Sequence, residues 1–543
     1  MNSGQGDGAR FGALAPVALL VAGAFHGLLY PRIADADGFY HVGHARAYAQ
    51  GSLFDTAFPW TAFSAVGEAG ADLWWGFHAL LVPLAPVGEV DTAIRLSALL
   101  LTLAALAAFA WLVRRHRFVG GALWPALFLV AVPNVLYRYL AVRPEVLSLP
   151  LALLLLSALT RRERGWALAF ATGITWIHLS MFWLGPGIAV LWASSAWLWG
   201  RTVDQAAQGE PGPQVRELAL LVALVLVGTT AGWLLRPHPL AAAELAWVQI
   251  AELLLEKTGS TPLTFAVDLA PLPMGELWRT AWPLLAAWVG GLAYLGVTAA
   301  DEPGEVRGIP RQDRELLATS TLLAAGFLFL TVAVARRSLV HWAAFAVPGV
   351  ALVLTHLTPA PRRRVVGRGL LAAFTLLFGW SLWRNQLNVR FVAHPPDYLA
   401  EVADFLERSS EPGEVVFTTH WDTFGPLFAR NRTNHYPGGM DPIFQYAFDR
   451  ERYWSFHHLS TDVATAVTCP LPDCEPDQVL DTWTVVREDF DARWILVEPR
   501  RNPRLSLFLL DDPRFRLALE TTSEAVFEAL PPGESAPPQG AAR

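Results

Sequence analysis

Charged side chains are scarce in this chain. Only 16% of its 543 residues are charged, whereas 53% are hydrophobic, and the mean hydropathy is +0.34. A soluble globular domain usually carries about 25% charged residues, so the composition excludes this class and indicates a membrane protein. Lysine is nearly absent, with Lys257 alone, so arginine supplies the positive charge. With a net charge of −7, no nucleic-acid partner is expected.

Cysteine is equally rare. The two cysteines, Cys469 and Cys474, enclose Pro-Leu-Pro-Asp. They are most simply interpreted as a small disulfide loop in an oxidising compartment, because a zinc site would need a second pair of ligands. The first apolar run is long and lacks a clear small-residue cleavage site, so a cleavable signal peptide is not expected.

Long apolar runs are abundant. Because a helix needs about 20 apolar residues to cross the bilayer, we predict a polytopic α-helical membrane protein with about eleven to thirteen transmembrane helices. The predicted spans lie near residues 11–30, 93–113, 119–133, 146–160, 166–183, 186–200, 218–235, 281–300, 318–335, 342–358 and 367–384.

The loops between these spans alternate in charge. Residues 114–117, 161–164, 307–314 and 361–364 are rich in arginine, which places them in the cytoplasm under the positive-inside rule. The loops 31–90, 134–145 and 236–280, and all residues after 384, then lie on the opposite side. We therefore expect a multi-pass protein of a bacterial inner (cytoplasmic) membrane, with its C-terminal domain on the periplasmic or extracellular side.

Three regions are predicted along the chain. Residues 1–390 form the transmembrane domain, residues 391–530 a non-cytoplasmic soluble α/β domain, and residues 531–543 a disordered tail rich in Pro, Gly, Ala and Ser. In the soluble domain, the periodicity predicts a helix over 397–409 and strands over 414–419, 493–498 and 525–529.

The first candidate site follows the first span. Asp37, His41 and His44 are spaced four and three residues apart, so a helix beginning near Gly38 places them on one face. Carboxylate and imidazole groups suit a divalent metal, with oxygen ligands favouring Mg²⁺ or Mn²⁺. The alternative is a hydrated helix start, in which Asp35 or Asp37 is the N-cap.

Two further clusters lie on the same predicted side of the membrane. Glu145 begins an apolar helix, where it marks a substrate path or is simply stabilised by the helix dipole. Arg336 and Arg337 oppose the positive-inside trend. They are interpreted either as a clamp for a phosphate or pyrophosphate or as side chains that snorkel to lipid headgroups.

A fourth cluster lies in the soluble domain. His420, Trp421 and Asp422 follow a predicted strand, and Asn431-Arg-Thr433 and Gly438-Gly-Met-Asp441 come soon after. The Trp–Asp pair either caps a turn or presents an indole and a carboxylate to a polar ligand. The Asn-Arg-Thr triplet also matches the N-glycosylation acceptor pattern.

Taken in order, these motifs resemble the catalytic subunit of oligosaccharyltransferases, which are GT-C membrane glycosyltransferases. An Asp-x-Asp motif after the first span is matched by Asp35-Ala-Asp37-Gly-Phe-Tyr-His41, and an arginine–acid loop by Arg138 to Glu145. The Trp-Trp-Asp-Tyr-Gly signature, with a nearby Asn-Arg-Thr, is similar to His420-Trp-Asp-Thr-Phe-Gly425 and Asn431-Arg-Thr433.

The resemblance implies a metal-assisted, inverting transfer of a sugar or oligosaccharide from a polyprenyl-phosphate or polyprenyl-pyrophosphate donor. The acceptor would be a protein or a glycolipid, on the non-cytoplasmic side. The implied roles are catalysis by Asp37, Glu145 and Asp268, metal binding by Asp37, Glu145 and His41, donor-phosphate binding by Arg143, Arg336 and Arg337, and acceptor binding by His420, Trp421 and Asp422.

The chain departs from the family in its acceptor motif, where His420 replaces the first tryptophan. A lipid or polysaccharide acceptor therefore stays open as an alternative, as do a transporter or flippase and a non-catalytic assembly protein. Glu252 and Glu256 are rivals to Asp268 as the acidic residue of the third outer loop. Of the two aspartates in the first motif, Asp37 is the expected metal ligand and Asp35 its structural partner.

Overall fold

The computed structural model describes residues 15–121, 123–199, 215–258, 263 and 266–537. Five predicted features fall partly outside these residues. They are the beginning of the span 11–30, residue 122 of the span 119–133, the last residue of the span 186–200, part of the outer loop 236–280, and the end of the tail 531–543.

The part of the chain before residue 392 is helical. Its helices are α1 (Ala15–Leu29), α2 (Asp37–Gln50), α3 (Ala65–Ala69), α4 (Trp75–Leu81), α5 (Val90–His116), α6 (Leu123–Val130), α7 (Pro133–Tyr139), α8 (Glu145–Thr160), α9 (Arg164–Ile177), α10 (Leu184–Trp199), α11 (Val215–Leu234), α12 (Pro239–Trp247), α13 (Leu253–Thr258), α14 (Met274–Asp301), α15 (Pro303–Arg307), α16 (Arg311–Ala333), α17 (Ser338–Leu357) and α18 (Arg363–Phe391).

Within the described residues, seven helices are long and apolar enough to cross a membrane. They contain α5, α10, α11, α14, α16, α17 and α18. This confirms the predicted class of a polytopic α-helical protein. The other four predicted spans correspond to the shorter helices α1, α6, α8 and α9. Of these four helices, α6 is the shortest. The predicted span 119–133 does not continue as one helix, because Pro133, which lacks a backbone N–H, begins the separate helix α7.

Helix α11 packs on α9 through two glycines spaced four residues apart. A methyl group added at Gly228 would lie 2.6 Å from the carbonyl oxygen of Leu168, and one added at Gly232 would lie 2.3 Å from that of Thr172. Small residues at this spacing let two helix backbones approach closely, which is how transmembrane helices gain packing energy within lipid.

Replacing Gly232 with Val is therefore expected to destabilise the helix bundle by about 1–3 kcal/mol, the usual cost of overpacking. Thermal unfolding in detergent should show a lower midpoint for Gly232→Val. The matched control is Gly187→Val in α10, where an added methyl group meets no atom within 4 Å. Equal midpoints for the two variants would contradict the close helix crossing.

The arginine-rich loops meet at one end of the bundle. His116 Nδ1, at the end of α5, is 2.6 Å from Asp313 Oδ1, and His356 Nε2, in α17, is 2.9 Å from Asp313 Oδ2. Arg162, after α8, donates two 2.7 Å hydrogen bonds to Glu315 of α16. These contacts tie the ends of four helices together, at the end of the bundle where the sequence predicts the cytoplasmic loops.

The C-terminal part combines helices with a mixed sheet, as predicted. Its helices are α19 (Ala400–Ser409), α20 (Phe424–Arg430), α21 (Pro442–Phe448), α22 (Arg450–Ser460), α23 (Thr482–Thr484) and α24 (Pro503–Asp511). Its strands are β1 (Val415–Thr418), β2 (Val467–Thr468), β3 (Leu480–Asp481), β4 (Ala492–Val497), β5 (Phe515–Glu520) and β6 (Ala525–Ala529).

The main sheet has the order β1-β4-β6-β5. Strands β1 and β4 pair in parallel, and the other pairs are antiparallel. The three predicted strands correspond to β1, β4 and β6, whereas β5 was not predicted; it lies at the edge and its side chains are mostly half-buried. Strands β2 and β3 form a separate ribbon, and Cys469 and Cys474 form the disulfide suggested by their spacing.

Two hydrophobic cores support this arrangement. One runs from the helix bundle into the C-terminal part without a break, because Phe39 of α2 and Phe424 and Phe428 of α20 belong to it. The second lies against the sheet and includes Phe417 and Phe490. The C-terminal part therefore packs firmly against one end of the helix bundle.

Candidate active site at one end of the helix bundle

Helix α2 begins at Asp37, directly after the short turn that follows α1. The Oδ1 atom of Asp35 accepts a hydrogen bond of 3.2 Å from the backbone N–H of Gly38. Asp35 therefore satisfies a free amide at the beginning of the helix, as a capping residue does. The carboxylate of Asp37 makes no capping bond and is free for other contacts.

Arg143 joins the two aspartates. Its Nε is 2.6 Å from Asp35 Oδ2, and its Nη2 is 2.8 Å from Asp37 Oδ2. Burial alone would lower the pKa of Arg143, but the two carboxylates raise it well above its usual value. Burial raises the pKa of Asp37 to about 6, with Arg143 opposing the shift and Asp35 and Asp268 adding to it. The side chain of Asp37 nevertheless exposes 36% of its surface, so it is accessible to a ligand from solvent.

A second arginine brings in the other predicted carboxylates. Arg138 Nη1 is 3.2 Å from Glu145 Oε1, and Arg138 Nη2 contacts Asp268 Oδ2. Burial opposes ionisation of Asp268, but Arg138 and Arg143 lower its pKa to about 2. The outer loop thus contributes Asp268, the predicted acidic residue. Its rival Glu256 instead lies 3.7 Å from Arg450 of the C-terminal part.

The segment that carries Asp268 is fixed to the beginning of α17 by main-chain hydrogen bonds. The N–H of Arg337 donates to the carbonyl of Asp268 at 3.1 Å, and the N–H of Arg336 donates to that of Ala270 at 2.8 Å. The ammonium group of Lys257 donates to the carbonyls of Leu269 and Val334. The single lysine therefore holds together the two segments that carry the acidic and basic groups.

We call Asp35, Asp37, Glu145 and Asp268 the carboxylate cluster. It contains two more carboxylates than the two guanidinium groups that pair with it, Arg138 and Arg143. Oxygen donors of this type suit a hard divalent cation such as Mg²⁺ or Mn²⁺. Among the described residues, however, the ligand atoms of Asp37, Glu145 and Asp268 do not form a group within 4.8 Å of one another that could hold an ion. Binding of the metal that the sequence resemblance implies therefore stays a prediction.

The histidine predicted for this metal has a different neighbour. His41 is buried, and its Nδ1 lies 2.8 Å from His78 Nε2. Among the described residues, no hydrogen bond or ion pair joins His41 to Asp37 or Glu145. Only the Nε2 atom of His41 is left to serve as a ligand, so its role at this metal stays a prediction.

The two adjacent arginines of α17 have different surroundings. Arg336 Nη1 is 3.6 Å from Glu276 of α14, so its charge is directed away from the carboxylate cluster. Arg337 is exposed, and its positive charge contributes to lowering the pKa of Asp268 and opposes the raised pKa of Asp441. Arg337 is therefore the better candidate for the predicted donor-phosphate contact.

The motif at the beginning of the C-terminal part packs directly on the first motif. A methyl group added at Gly425 would lie 2.6 Å from the carbonyl oxygen of Ala36, the residue before Asp37. One added at Gly43 in α2 would lie 3.0 Å from the Cα of Ala429 in α20. Two glycines thus allow α2 and α20 to pack backbone against backbone.

Replacing Gly425 with Ala should therefore displace the Ala36 carbonyl and with it the Asp37 carboxylate. We expect about tenfold lower activity and a lower unfolding temperature, since overpacking costs about 1–3 kcal/mol. The rate and the thermal midpoint are compared with those of Gly275→Ala in α14, where the added methyl group meets no atom within 4 Å. A Gly425→Ala protein as active as that control would show that the contact between Gly425 and the Ala36 carbonyl does not position Asp37.

The predicted acceptor-binding residues form a partly closed group. Both carboxylate oxygens of Asp422 lie 3.1 Å from Arg501 Nη1, which also lies 3.2 Å from Glu498 Oε1. His420 is buried, and burial lowers its pKa to about 4. Trp421 is half-buried beside them.

His394 lies between this group and the first motif. Its backbone pairs with Ile33 through two hydrogen bonds of 2.9 Å. Burial lowers the pKa of His394, and the charges of Asp35 and Asp422 both oppose that shift. The acceptor-type residues therefore lie near the carboxylate cluster rather than at the far side of the C-terminal part.

Comparison with known proteins extends these observations. No protein-family model and no curated sequence matches the chain. Among solved structures, the apo oligosaccharyltransferase of Archaeoglobus fulgidus is similar to it, with 10% identity and a TM-score of 0.59, over 96% of this chain and 75% of that one. This oligosaccharyltransferase and a second neighbour, ArnT, are both GT-C glycosyltransferases.

The second neighbour is ArnT from Cupriavidus metallidurans. Bound to undecaprenyl phosphate, it is 13% identical with a TM-score of 0.51, over 97% of this chain and 99% of ArnT. Its apo form is also 13% identical, with a TM-score of 0.54, over 96% and 98%. The chain has the GT-C fold.

The GT-C fold of this chain also brings together residues without a predicted role. Asp441, in the Gly-Gly-Met-Asp motif, caps α21 through a 3.4 Å hydrogen bond from the N–H of Ile443. Burial raises its pKa to about 6, and the charges of Arg337 and Asp268 act on it. His178 is buried near Glu145, with its Nδ1 3.1 Å from Ser148 Oγ. An acidic residue after two glycines was the available signal for Asp441, whereas nothing in the sequence distinguished His178.

Proposed function

We propose that this protein is a membrane glycosyltransferase that moves a sugar or oligosaccharide from a polyprenyl-phosphate or polyprenyl-pyrophosphate carrier to an acceptor. The observation that carries the proposal is the convergence of Asp37, Glu145 and Asp268 with Arg138, Arg143 and Arg337 at one end of a GT-C helix bundle. ArnT, which has the same fold, binds undecaprenyl phosphate. This neighbour supports a polyprenyl-linked donor.

The reaction is an inverting displacement at the anomeric carbon. A bond forms between the acceptor nucleophile and C1 of the sugar, and the bond from C1 to the carrier phosphate oxygen breaks. Arg337 is placed to neutralise the negative charge that develops on that oxygen, as guanidinium groups do through paired hydrogen bonds. The carboxylate of Asp37 acts as the general base and accepts the proton of the nucleophile.

In this proposal, Asp37 and Glu145 would hold the divalent cation, and Asp268 would be a further carboxylate beside them. When bound, it supplies Lewis-acid stabilisation of the leaving phosphate, worth several kcal/mol. Arg138 and Arg143 keep the three carboxylates in place, each bridging two of the four acidic side chains. Because these groups lie at the ends of apolar helices, the polyprenyl tail would stay in the bilayer while its phosphate reaches the carboxylate cluster.

The carboxylate cluster lies at the end of the bundle opposite the arginine-rich loops. By the positive-inside rule this end faces the periplasm or the extracellular space. We accordingly place the C-terminal domain, proposed to comprise residues 391–530, on that side of a bacterial inner membrane.

The acceptor distinguishes two versions of this function. In the first, it is a protein, as for the oligosaccharyltransferases that the motif order resembles. In the second, it is a lipid or a polysaccharide. The second is favoured by one observation: Asp422 is paired with Arg501, and His420 is buried where a sequon-binding tryptophan is expected.

The proposal is tested by deleting the gene in its host and restoring either the wild-type protein or Asp37→Ala. Glycoproteins, glycolipids and polysaccharides are then compared by mass spectrometry. One glycan class should return with the wild type and not with Asp37→Ala. The control is Glu68→Ala, an exposed carboxylate of the same outer loop, which should restore the glycan. Glycans that are identical in all four strains would overturn the enzyme assignment.

The two acceptor versions give different results in the same experiment. Loss of a modification at Asn-x-Ser/Thr sites would support the protein acceptor. Loss of a modified lipid or polysaccharide would support the alternative.

A further inference from the structure

A second cluster of ligand-type side chains lies behind the carboxylate cluster. His44, Asp72 and His78 each offer one ligand atom, and these atoms lie within 4.8 Å of one another. His78 Nδ1 is 2.6 Å from Asp72 Oδ2, and His44 Nε2 is 3.8 Å from the same oxygen. The side chains of Asp72 and His78 are 1% and 0% exposed. Three separate segments of the first outer loop thus converge on one buried oxygen atom.

The two imidazoles are oriented by their outer ring nitrogens. His44 Nδ1 is 3.0 Å from the hydroxyl of Tyr40, and His78 Nε2 is 2.8 Å from His41 Nδ1. Histidines that bind metal almost always use their second nitrogen in such a hydrogen bond, which fixes the ring and its tautomer. The inner nitrogens of His44 and His78 are therefore both directed toward Asp72.

The carboxylate is held in the same way. Its Oδ1 accepts a 2.8 Å hydrogen bond from the N–H of Trp74, and the hydroxyl of Tyr48 lies 2.9 Å from Oδ2. Oδ2 therefore faces the two imidazoles and one phenol. Together with Oδ2 itself, these neighbours make two nitrogen and two oxygen donors, the number that a four-coordinate ion requires.

We propose that His44 Nε2, Asp72 Oδ2 and His78 Nδ1 bind a structural Zn²⁺ ion, with the Tyr48 hydroxyl at the fourth position. Imidazole and carboxylate ligands in a closed, four-coordinate site suit zinc. Tetrahedral ligands at zinc lie about 3.3 Å apart. The observed separations of 2.6 and 3.8 Å lie on either side of that value, so small side-chain rotations would equalise them.

The electrostatics of the cluster favour a cation. The Asp72 side chain is 1% exposed, and its Oδ2 lies against two imidazoles and one phenol. The buried guanidinium of Arg236 donates to the main-chain carbonyls of Asp72 and Leu73, at 3.3 and 3.0 Å. A buried carboxylate without a bound cation costs several kcal/mol, and zinc would remove that cost.

The proposed zinc site is separate from the one proposed for sugar transfer. It shares no ligand with Asp37, Glu145 and Asp268, and its nitrogen donors select a softer metal than the all-oxygen cluster does. His44 lies on α2, the helix that begins at Asp37. The zinc ion would join α2 to α4 through His78 and so brace the first turn of the active-site helix.

Metal analysis of the full-length protein in detergent tests the proposal. After an EDTA wash that removes loosely held ions, inductively coupled plasma mass spectrometry should find about one zinc ion per wild-type chain. The double variant His44→Ala/His78→Ala should lose it, whereas Asp37→Asn should keep it. Wild-type protein without zinc, or a double variant that retains zinc, would overturn the proposal.

A spectroscopic measurement on the wild type avoids dependence on the folding of the double variant. Zinc is removed with a strong chelator and replaced by Co²⁺, which has intense visible d–d bands only in tetrahedral sites. The bands should appear at one equivalent of cobalt, and zinc should abolish them. They should be weaker in the conservative variant His44→Gln. Only the weak bands of octahedral cobalt, in the wild type, would contradict the site. Neither readout depends on glycosyl transfer, so the zinc site and the enzyme assignment can fail separately.

Discussion

Replacing Asp37 with Asn is expected to lower the rate of sugar transfer by about 10³-fold, with little change in stability. The substitution removes one negative charge from the position where the cation and the acceptor nucleophile meet. A cation at such a site contributes several kcal/mol, and about 4 kcal/mol corresponds to a factor of about 10³. The shape of the side chain is kept, and the Asn amide oxygen can still accept a hydrogen bond from Arg143, now 2.8 Å from Asp37 Oδ2.

The matched control for this prediction is Asp35→Asn. It removes the same charge from a residue two positions earlier, which also pairs with Arg143 but caps α2. We expect a loss of less than about tenfold, because asparagine caps a helix about as well as aspartate and its amide oxygen can still accept the hydrogen bond from the Gly38 N–H. Single-turnover rates with purified protein, together with thermal midpoints, separate the two variants. Equal losses would show that the two aspartates share one role.

Replacing Arg337 with Gln is expected to reduce the single-turnover transfer rate by about 10²-fold. Removing one group that stabilises developing negative charge commonly costs about 10²–10³-fold in rate. Arg337 is exposed, and its positive charge lowers the pKa of Asp268 and opposes the raised pKa of Asp441. Its loss should slow departure of the phosphate more than it weakens binding of the lipid tail, so kcat should fall more than KM rises.

The adjacent Arg336→Gln variant is the natural comparison. It removes the same charge from the same helix start, yet its guanidinium is directed to Glu276 at 3.6 Å. A loss of less than about tenfold is expected, because a half-exposed ion pair contributes about 0–1 kcal/mol. A larger effect at Arg336 than at Arg337 would reverse the assignment of the phosphate contact.

Local sequence offers Asp37 and Glu145 as candidates, because each lies where the chain leaves an apolar span, but it leaves a cap and a dipole-stabilised carboxylate open as alternatives. The family resemblance supplies their roles and adds Asp268, with Glu252 and Glu256 as rivals. In the structure, Asp268 lies beside Arg138. The choice between Arg336 and Arg337 could not be made, because it depends on Glu276 of another helix.

His41 shows the limit of such reasoning. The spacing to Asp37 indicates a shared helix face, but the ring lies against His78, which is 37 residues away in sequence. Asp72, the carboxylate that pairs with His78, lies in a loop without an apolar pattern, so no local signal distinguishes it. The edge strand β5 was missed for a related reason: its half-buried side chains give a weak alternation of apolar and polar residues.

The geometry of the predicted acceptor-binding residues depends most on long-range contacts. Gly425 belongs to the predicted motif that begins at His420, but the 2.6 Å distance from its added methyl group to the Ala36 carbonyl follows only from the packing of α20 on α2. Likewise, Arg501 lies 79 residues from Asp422, and it alters the chemistry of that carboxylate by pairing with it. Sequence alone could therefore place the acceptor motif without establishing what it binds.

The most direct test of the proposed function is release of the lipid carrier. Purified protein is supplied with a polyprenyl-phosphate sugar, a divalent cation and host membranes lacking the endogenous protein as the source of acceptor. Lipid extracts are then analysed for free polyprenyl phosphate, and the membranes for the transferred sugar. The wild type should release carrier and transfer sugar in equal amounts, and Asp37→Asn should do neither. Carrier release at the same rate with both proteins, or none with the wild type on either phosphate or pyrophosphate donors, would contradict it.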